Sequence, residues 1–585
     1  MRRYTLCALL AGALLGTLGT GAFAQKAREQ HVAPPTTSWP TNGGDWYNRR
    51  YSPLKEIDRG NVAKLKGVWR TRLNGSGLGP KYSGEAQPLV LDGVVYVSTG
   101  ANDVFAISVD TGAILWDYRA NLDANNKSVC CGWTSRGVAA GAGKIFAGQL
   151  DGKLVALDAK TGKIVWSTQA ERWQDGFTIT AAPLYYDGLV IVGFAGAELG
   201  VRGRVKAYDA RNGKLVWTFH TIPGPGEPGH ETWSQDNEIW KNGGGTVWQT
   251  PAVDPELGLL YFSTGNPGPD FNGGVRKGDN LYTSSIVALD AKTGKYRWHF
   301  QQVHHDLWDY DSASPVVLFD ITIDGQPRRA VAEANKAGWV YILDRTNGTP
   351  LIGIDEKPVP QEPRQATSPT QPTPSGDAFV PQHLDIAPEG YTLVNGGRIF
   401  TPYWTDYVVA KPGISGGANW PPSALDVATG YLFVCARDGA SSFRAWEIEP
   451  TPPPVGEQYI GGNFGSNPLP AQGILAALDM HTNKLVWQQH WASTCASGAT
   501  ATAGGLVFVG RNDGRLTALD SGSGDLLWEF QTGAGMNSTV SVFEHRGKQY
   551  VVAYSAGNVF AGSPRGDSVW LFSLDGTLDQ VAAPK

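Results

Sequence analysis

Two cysteines stand side by side in this chain, Cys130 and Cys131, in the stretch SVCCGWTSRG. A disulfide between adjacent cysteines closes an eight-membered ring and forces the intervening peptide away from planarity. Strain of that kind is normally kept for a reason. Two unlinked thiols are the alternative, and both readings stand at this point. Oxygen donors sit in three further stretches: Glu198 in AGAELGVRG, Asn266 in FSTGNPGPDFN, and Asp309 with Asp311 in HHDLWDYDSASP. Carboxylates and a carboxamide oxygen are hard donors, suited to a calcium-like ion rather than zinc. Singly, each fits a turn as well as a ligand role. His304 and His305, adjacent on a strand, would point to opposite faces and make a poor transition-metal pair. Trp248, in GGGTVWQTPAVDP, offers a flat aromatic face in a chain that carries 21 tryptophans.

These residues lie between copies of one repeat. AISVDTGAILW (106–116), ALDAKTGKIVW (156–166), AYDARNGKLVW (207–217), ALDAKTGKYRW (288–298), ALDMHTNKLVW (477–487) and ALDSGSGDLLW (518–528) share it. ILDRTNGTPLI (342–352) and ALDVATGYLFV (424–434) are degraded copies, and Trp69 in LKGVWRTRL is the end of another. Trp69, Trp116, Trp166 and Trp217 are spaced by 47, 50 and 51 residues. That period signals propeller blades of four strands each. Ala-Leu-Asp ends a strand. Asp and Thr-Gly make the turn, with glycine at positive φ and Asp bonding back to the backbone. The next strand ends in Trp, which packs on the neighbouring blade. Roughly 500 residues at about 50 per repeat, with insertions, give seven or eight blades, and eight is the expectation. The fold class is therefore all-β: one propeller over 25–585, with a long irregular insertion at 352–420 that is functional or disordered.

Composition agrees. The chain has 585 residues, 74 of them glycine, and a net charge of −5 with only 18% charged residues. Nucleic acid is excluded as a partner, because no basic footprint exists. The 41% hydrophobic content excludes wholesale disorder.

Residues 1–24 read as a secretory signal peptide. Arg2 and Arg3 precede an apolar run from Leu6 to Leu18, and Ala22-Phe23-Ala24 is a small-x-small cleavage site before Gln25. The run is short for a membrane span. The mature protein is expected to be exported and periplasmic, without an integral membrane segment. Disulfides are permitted there. Whether Cys435 and Cys495 pair is left open. The sequence contains no C-x-x-C-H, so no covalent c-type haem is expected.

The repeat resembles the tryptophan-docking motif of the pyrroloquinoline quinone (PQQ) propellers, a superfamily that holds both dehydrogenases and non-catalytic scaffolds. The loops between repeats resemble the PQQ-dependent (quinoprotein) alcohol dehydrogenases of the soluble, haem-free type, over nearly all of 37–575. The resemblance implies that Cys130–Cys131 forms a vicinal disulfide plate on one face of PQQ and that Trp248 stacks on the other. Arg136, five residues after the second cysteine, belongs to the same motif. It further implies Glu85, Thr180, Gly196, Ala197, Lys336 and Asn419 as partners of the cofactor's carboxylates and carbonyls. Glu198, Asn266 and Asp309 match the family's metal set in chain order. Family members that use a lanthanide carry an extra Asp two residues after the catalytic one, and Asp311 stands there. Lanthanide and Ca²⁺ both remain open, because HHDLWDxD is also similar to membrane glucose dehydrogenases that use divalent ions. Lys336 stands where many members have Arg, so its contact with the quinone oxygens is expected to differ. Ala195 stands where several have Ser.

The implied reaction is oxidation of an alcohol to an aldehyde or ketone by hydride transfer to PQQ. Asp309 is the general base, held ionised by an adjacent cation. Electrons are expected to leave to a separate acceptor such as a soluble cytochrome c. A glucose- or polyol-type dehydrogenase and a propeller scaffold are the alternatives. Trp233, Trp240 and Phe443 could line an entrance, although packing suits them as well. The substrate is left open, and the chain is expected to be a monomer or homodimer.

Overall fold

The computed structural model describes residues 31–466 and 471–584, so the expected signal peptide over 1–24 lies outside the described residues. Short antiparallel strands dominate. Among the described residues eight main sheets follow one another along the chain, antiparallel apart from the short parallel strand Tyr51–Ser52 in the seventh. The first contains Leu89–Leu91, Val94–Ser98, Val104–Ser108 and Ile114–Tyr118. The second, third and fourth repeat this four-stranded meander and end on Ile164–Gln169, Leu215–His220 and Tyr296–Gln301. The fifth has three strands, Val317–Ile323, Gln326–Ala334 and Val340–Asp344. The sixth and seventh end on Lys484–Trp491 and Leu526–Gln531. The eighth joins Ser541–His545, Lys548–Ser555 and Ser568–Ser573 to the N-terminal strand Lys66–Arg72. Strands from near both ends of the described chain thus share one sheet, with Lys66–Arg72 at its edge.

The repeated motif explains how neighbouring sheets lock together. Asp158 Oδ1 accepts from the Thr161 amide at 2.9 Å and the Thr161 hydroxyl at 2.8 Å, and Asp290 does the same for Thr293. This fixes the turn. A register shift follows the alanine of each strong copy, at Ala106, Ala156, Ala207, Ala288, Ala477 and Ala518. The tryptophan of one sheet then reaches the turn of the next. Indole Nε1 donates from Trp69 to Val109 O (2.8 Å), from Trp116 to Ala159 O (3.1 Å) and from Trp166 to Ala210 O (3.0 Å). Trp487 bonds Ser521 O, and Trp528 bonds Leu65 O across the two ends of the chain. The turn glycine lies against that ring. A Cβ on Gly162 would come within 2.5 Å of Trp116, and one on Gly213 within 2.6 Å of Trp166.

The 352–420 insertion is more ordered than its composition suggests. Ile354–Pro358 and Thr370–Pro374 form a hairpin, and Val408–Ala410 pairs with Ser441–Ala445 in a small three-stranded sheet. Its aromatic residues, Phe400 and Tyr403, pack with Trp308, Tyr310 and Phe443 directly behind the HHDLWDYD segment. Phe443 and Trp233 are buried packing residues.

Candidate cofactor and cation site

The loops that carry the chemistry enter one region. Glu85 and Arg136 come from the segments around a two-stranded parallel ladder, Tyr82–Gly84 with Trp133–Ser135. Arg136 Nη2 lies 3.0 Å from Glu85 Oε2, and both side chains are largely buried. Asn558 Nδ2 donates to the other Glu85 oxygen at 2.7 Å. Arg136 Nη1 donates to Trp248 O at 3.3 Å, and its guanidinium lies 5.1 Å from the Trp248 ring centroid and 5.7 Å from that of Trp420. Arg136 also donates its amide to Thr180 O at 3.0 Å. The Thr180 hydroxyl and Arg136 Nε are buried without a protein partner. Asn419 is held by Ser415 O and by the Trp420 amide, and its carbonyl accepts from Ser314 Oγ at 2.8 Å.

Trp248 joins this group to a second one. Its indole Nε1 donates to Asp311 Oδ2 at 2.9 Å. Asp311 Oδ1 faces the Asn266 amide at 3.3 Å and Lys336 Nζ at 3.3 Å. Lys336 Nζ also donates to Asp309 Oδ2 at 2.9 Å. Asp309 has φ 62°, a left-handed backbone uncommon outside glycine, asparagine and aspartate. Burial pushes the Asp309 carboxyl well above the usual carboxylate range; Lys336 opposes that shift and Asp311 adds to it. In the chain alone desolvation outweighs the single lysine, and the lowered pKa expected of Asp309 belongs to the cation-bound site. For Lys336, burial acts downward, but Asp309 and Asp311 outweigh it and hold the ammonium well above its ordinary value.

Glu198 lies on the short helical turn Ala197–Leu199. Gly196, before it, has φ 123°, and a Cβ there would fall 1.9 Å from Gly176 O, so only glycine delivers Glu198 to this position. Glu198 O accepts from the Tyr459 amide at 2.7 Å. Among the described residues no three acidic, histidine or cysteine side chains are already closed into a ligand set. Asn266 Nδ2 bonds its neighbour Pro267 O.

Three expectations need correction or refinement. Cys130 and Cys131 are free thiols, not a vicinal disulfide. The strain of an eight-membered ring is thereby avoided. Both residues are exposed, yet protein packs around the Cys130 sulfur. Its thiol is pushed well above the usual range, first by Cys131, then by that burial, and then by Glu198. The disulfide that does form is Cys435–Cys495, with Cα atoms 5.4 Å apart. His304 and His305 are structural: His304 bonds Gln301 and Glu356, and the two ring nitrogens of His305 lie against Gly278 O and Gln365 O.

Sequence reasoning missed Asn558, Trp420 and Asp270. Asp270 follows Asn266 by four residues, a spacing readable in FSTGNPGPDFN. Asn558 and Trp420 come from distant sheets and carried no local signal.

Comparison with known proteins agrees with this geometry. Residues 39–464 match the family described as glucose/ethanol/alcohol dehydrogenase, β-propeller domain, and 468–580 match that of the outer membrane protein assembly factor BamB. The chain is 36% identical to the quinohemoprotein alcohol dehydrogenase of Comamonas testosteroni, over 91% of this chain and 75% of that protein. The crystal structure of that enzyme superposes with a TM-score of 0.80, covering 96% of this chain and 85% of that one. The quinoprotein alcohol dehydrogenase PedH of Pseudomonas putida is 34% identical over 93% of this chain and 92% of its own length. A europium-containing methanol dehydrogenase, 28% identical, superposes with a TM-score of 0.79 over 94% of this chain and 100% of that one. This chain belongs to the PQQ-dependent alcohol dehydrogenases, oxidoreductases that act on CH–OH groups.

Proposed function

We propose that the chain is a periplasmic, haem-free alcohol dehydrogenase whose eight sheets are the blades of a closed propeller, held by tryptophan docking. PQQ would lie over Trp248, with Cys130 and Cys131 on the opposite wall. Glu85, Arg136, Thr180, Gly196, Ala197, Lys336 and Asn419 would hold its rim. The unpartnered Thr180 hydroxyl and Arg136 Nε fit that ligand, since a tricarboxylate with carbonyls needs such donors. Glu198, Asn266, Asp309 and Asp311 are the proposed cation ligands, for Ca²⁺ or a lanthanide. The donor set fits a hard cation, because the carboxylates outnumber the one lysine between them. The observation that carries this reading is the double role of Trp248, whose carbonyl holds Arg136 and whose indole holds Asp311.

When bound, PQQ supplies the two-electron acceptor and the cation supplies Lewis acidity. The protein's part is positioning and proton transfer. Asp309 takes the proton of the substrate hydroxyl. Lys336 keeps the Asp309 carboxylate in one orientation and favours its ionised form, which the base requires. Arg136 neutralises Glu85 and presents its remaining N–H to the cofactor's acidic rim. The acceptor of the electrons is proposed to be a separate cytochrome c; cytochrome c stands in the name of one relative, a 1-butanol dehydrogenase of Thauera butanivorans.

Equilibrium binding of PQQ, followed by quenching of tryptophan fluorescence, tests the cofactor cleft. Saturable binding that weakens at least tenfold in Arg136→Gln and in Trp248→Ala is expected. Binding unchanged in both variants would place the cofactor elsewhere.

A further inference from the structure

Asp270 is a buried carboxylate that the reading above does not use. It is 4% exposed, and its Oδ1 has no hydrogen-bond partner. An ionised carboxylate oxygen without a donor is costly to bury, and such a group is normally compensated by a cation or metal. The loop around it is rigidly held. Arg276, fully buried, donates from Nε to Pro269 O at 3.0 Å and from Nη2 to Asp270 O at 3.1 Å. Those bonds go to the backbone, so Arg276 fixes where Asp270 stands and leaves Oδ1 unpaired.

Two backbone contacts bring Asp270 beside Glu198. The Tyr459 amide donates to Glu198 O at 2.7 Å, and the Phe271 amide donates to Ile460 O at 2.8 Å. One dipeptide, Tyr459-Ile460, therefore straps both the Glu198 turn and the residue after Asp270. Gly268 also approaches Ala197 O, at 3.7 Å from a Cβ placed on it. The side chain faces the same acids: Glu198 and Asp311 both act on Asp270, and it acts on Asp309. Asp311, by contrast, is already engaged. Its two oxygens meet the Trp248 indole, the Asn266 amide and Lys336.

We propose that Asp270 is a further carboxylate of the cation site, beside Glu198, Asn266, Asp309 and Asp311, and that Asp311 contributes less than Asp270 because it also holds Trp248 and Lys336 in place. This rests on the cation reading above and goes beyond it.

Terbium titration of the cation-free protein, read by tryptophan-sensitised luminescence, tests this apart from turnover. The wild-type chain should bind one Tb³⁺. Asp270→Asn should weaken Tb³⁺ at least tenfold, should weaken Ca²⁺ (read by competition) less, and should lose more Tb³⁺ affinity than Asp311→Asn. The cation-free Asp270→Asn protein should melt at or near the wild-type temperature, since the amide replaces a buried carboxyl whose Oδ1 no donor satisfies. Wild-type Tb³⁺ affinity in Asp270→Asn would overturn the assignment, as would a larger loss in Asp311→Asn. A cation-free Asp270→Asn that melts well below wild type would also overturn it, by showing that Asp270 is a structural residue. If the wild-type chain binds neither Tb³⁺ nor Ca²⁺, with PQQ present or absent, the cation reading falls and this proposal with it.

Discussion

Lys336 Nζ lies 2.9 Å from Asp309 Oδ2, and the lysine side chain is only 7% exposed. The same ammonium is shared with Asp311. One cation thus answers two carboxylates in a site that excludes most water. Removing one partner of a buried pair leaves an uncompensated charge, which costs about 3–5 kcal/mol. Lys336→Met should lower the cation-free protein's stability by that amount in a urea unfolding experiment, and Lys336→Arg should recover most of it. An unchanged unfolding midpoint in Lys336→Met would contradict the pairing.

Glu333 gives a pH signature. It is 1% exposed, accepts from Gln302 at 2.7 Å and from the Ser314 amide at 3.1 Å, and burial pushes its carboxyl up to about 8. The folded protein therefore holds a proton that the unfolded chain, with an ordinary glutamate, releases. The associated stability is present below the unfolded value near pH 4.5 and is lost as pH rises through about 8. Between pH 6 and 9 the wild-type melting temperature should fall more steeply than that of Glu333→Gln. Parallel curves would show that Glu333 does not titrate in this window.

The turn glycines separate two costs. Gly143 has φ 72° and open space beside it, whereas Gly162 has φ 68° and the Trp116 ring 2.5 Å from a Cβ. Gly143→Ala should cost about 1 kcal/mol, the backbone term alone. Gly162→Ala should cost roughly 1–3 kcal/mol more, because the ring must move. Equal losses in denaturant unfolding would mean that the glycine–tryptophan contact is not close-packed.

Cys435 and Cys495 are buried and joined across 60 residues of sequence. A loop of that length is expected to confer about 4 kcal/mol through the unfolded chain. The Cys435→Ala, Cys495→Ala double variant should lose about that much. Thiol titration of the folded wild-type protein should find Cys131 reactive, Cys130 slower because its raised pKa leaves little thiolate, and this pair protected.

The repeat was legible because each copy carries its own mechanism: Asp and Thr close the turn, glycine leaves room, and Trp reaches the next sheet. Glu85, Arg136, Trp248, Asp309 and Lys336 were legible because their motifs are long. The state of Cys130–Cys131 was not, since adjacency permits a bridge without requiring one. Order in the 352–420 insertion was also hidden. Its hairpin and its packing behind Trp308 depend on partners at 300–310 and 441–445, which no local pattern announces. Asn558 reaches Glu85 across 473 residues of sequence, a contact that only the closed sheet order creates.

The most direct test of the account is turnover. The chain, reconstituted with PQQ and either Ca²⁺ or a lanthanide, is given primary, secondary and polyol alcohols with an artificial dye as acceptor. Dye reduction should require PQQ, cation and alcohol together. Asp309→Asn should lower the rate by about 10²-fold or more while retaining PQQ affinity. A chain that binds PQQ but reduces dye with no alcohol, or an Asp309→Asn variant as fast as wild type, would contradict it.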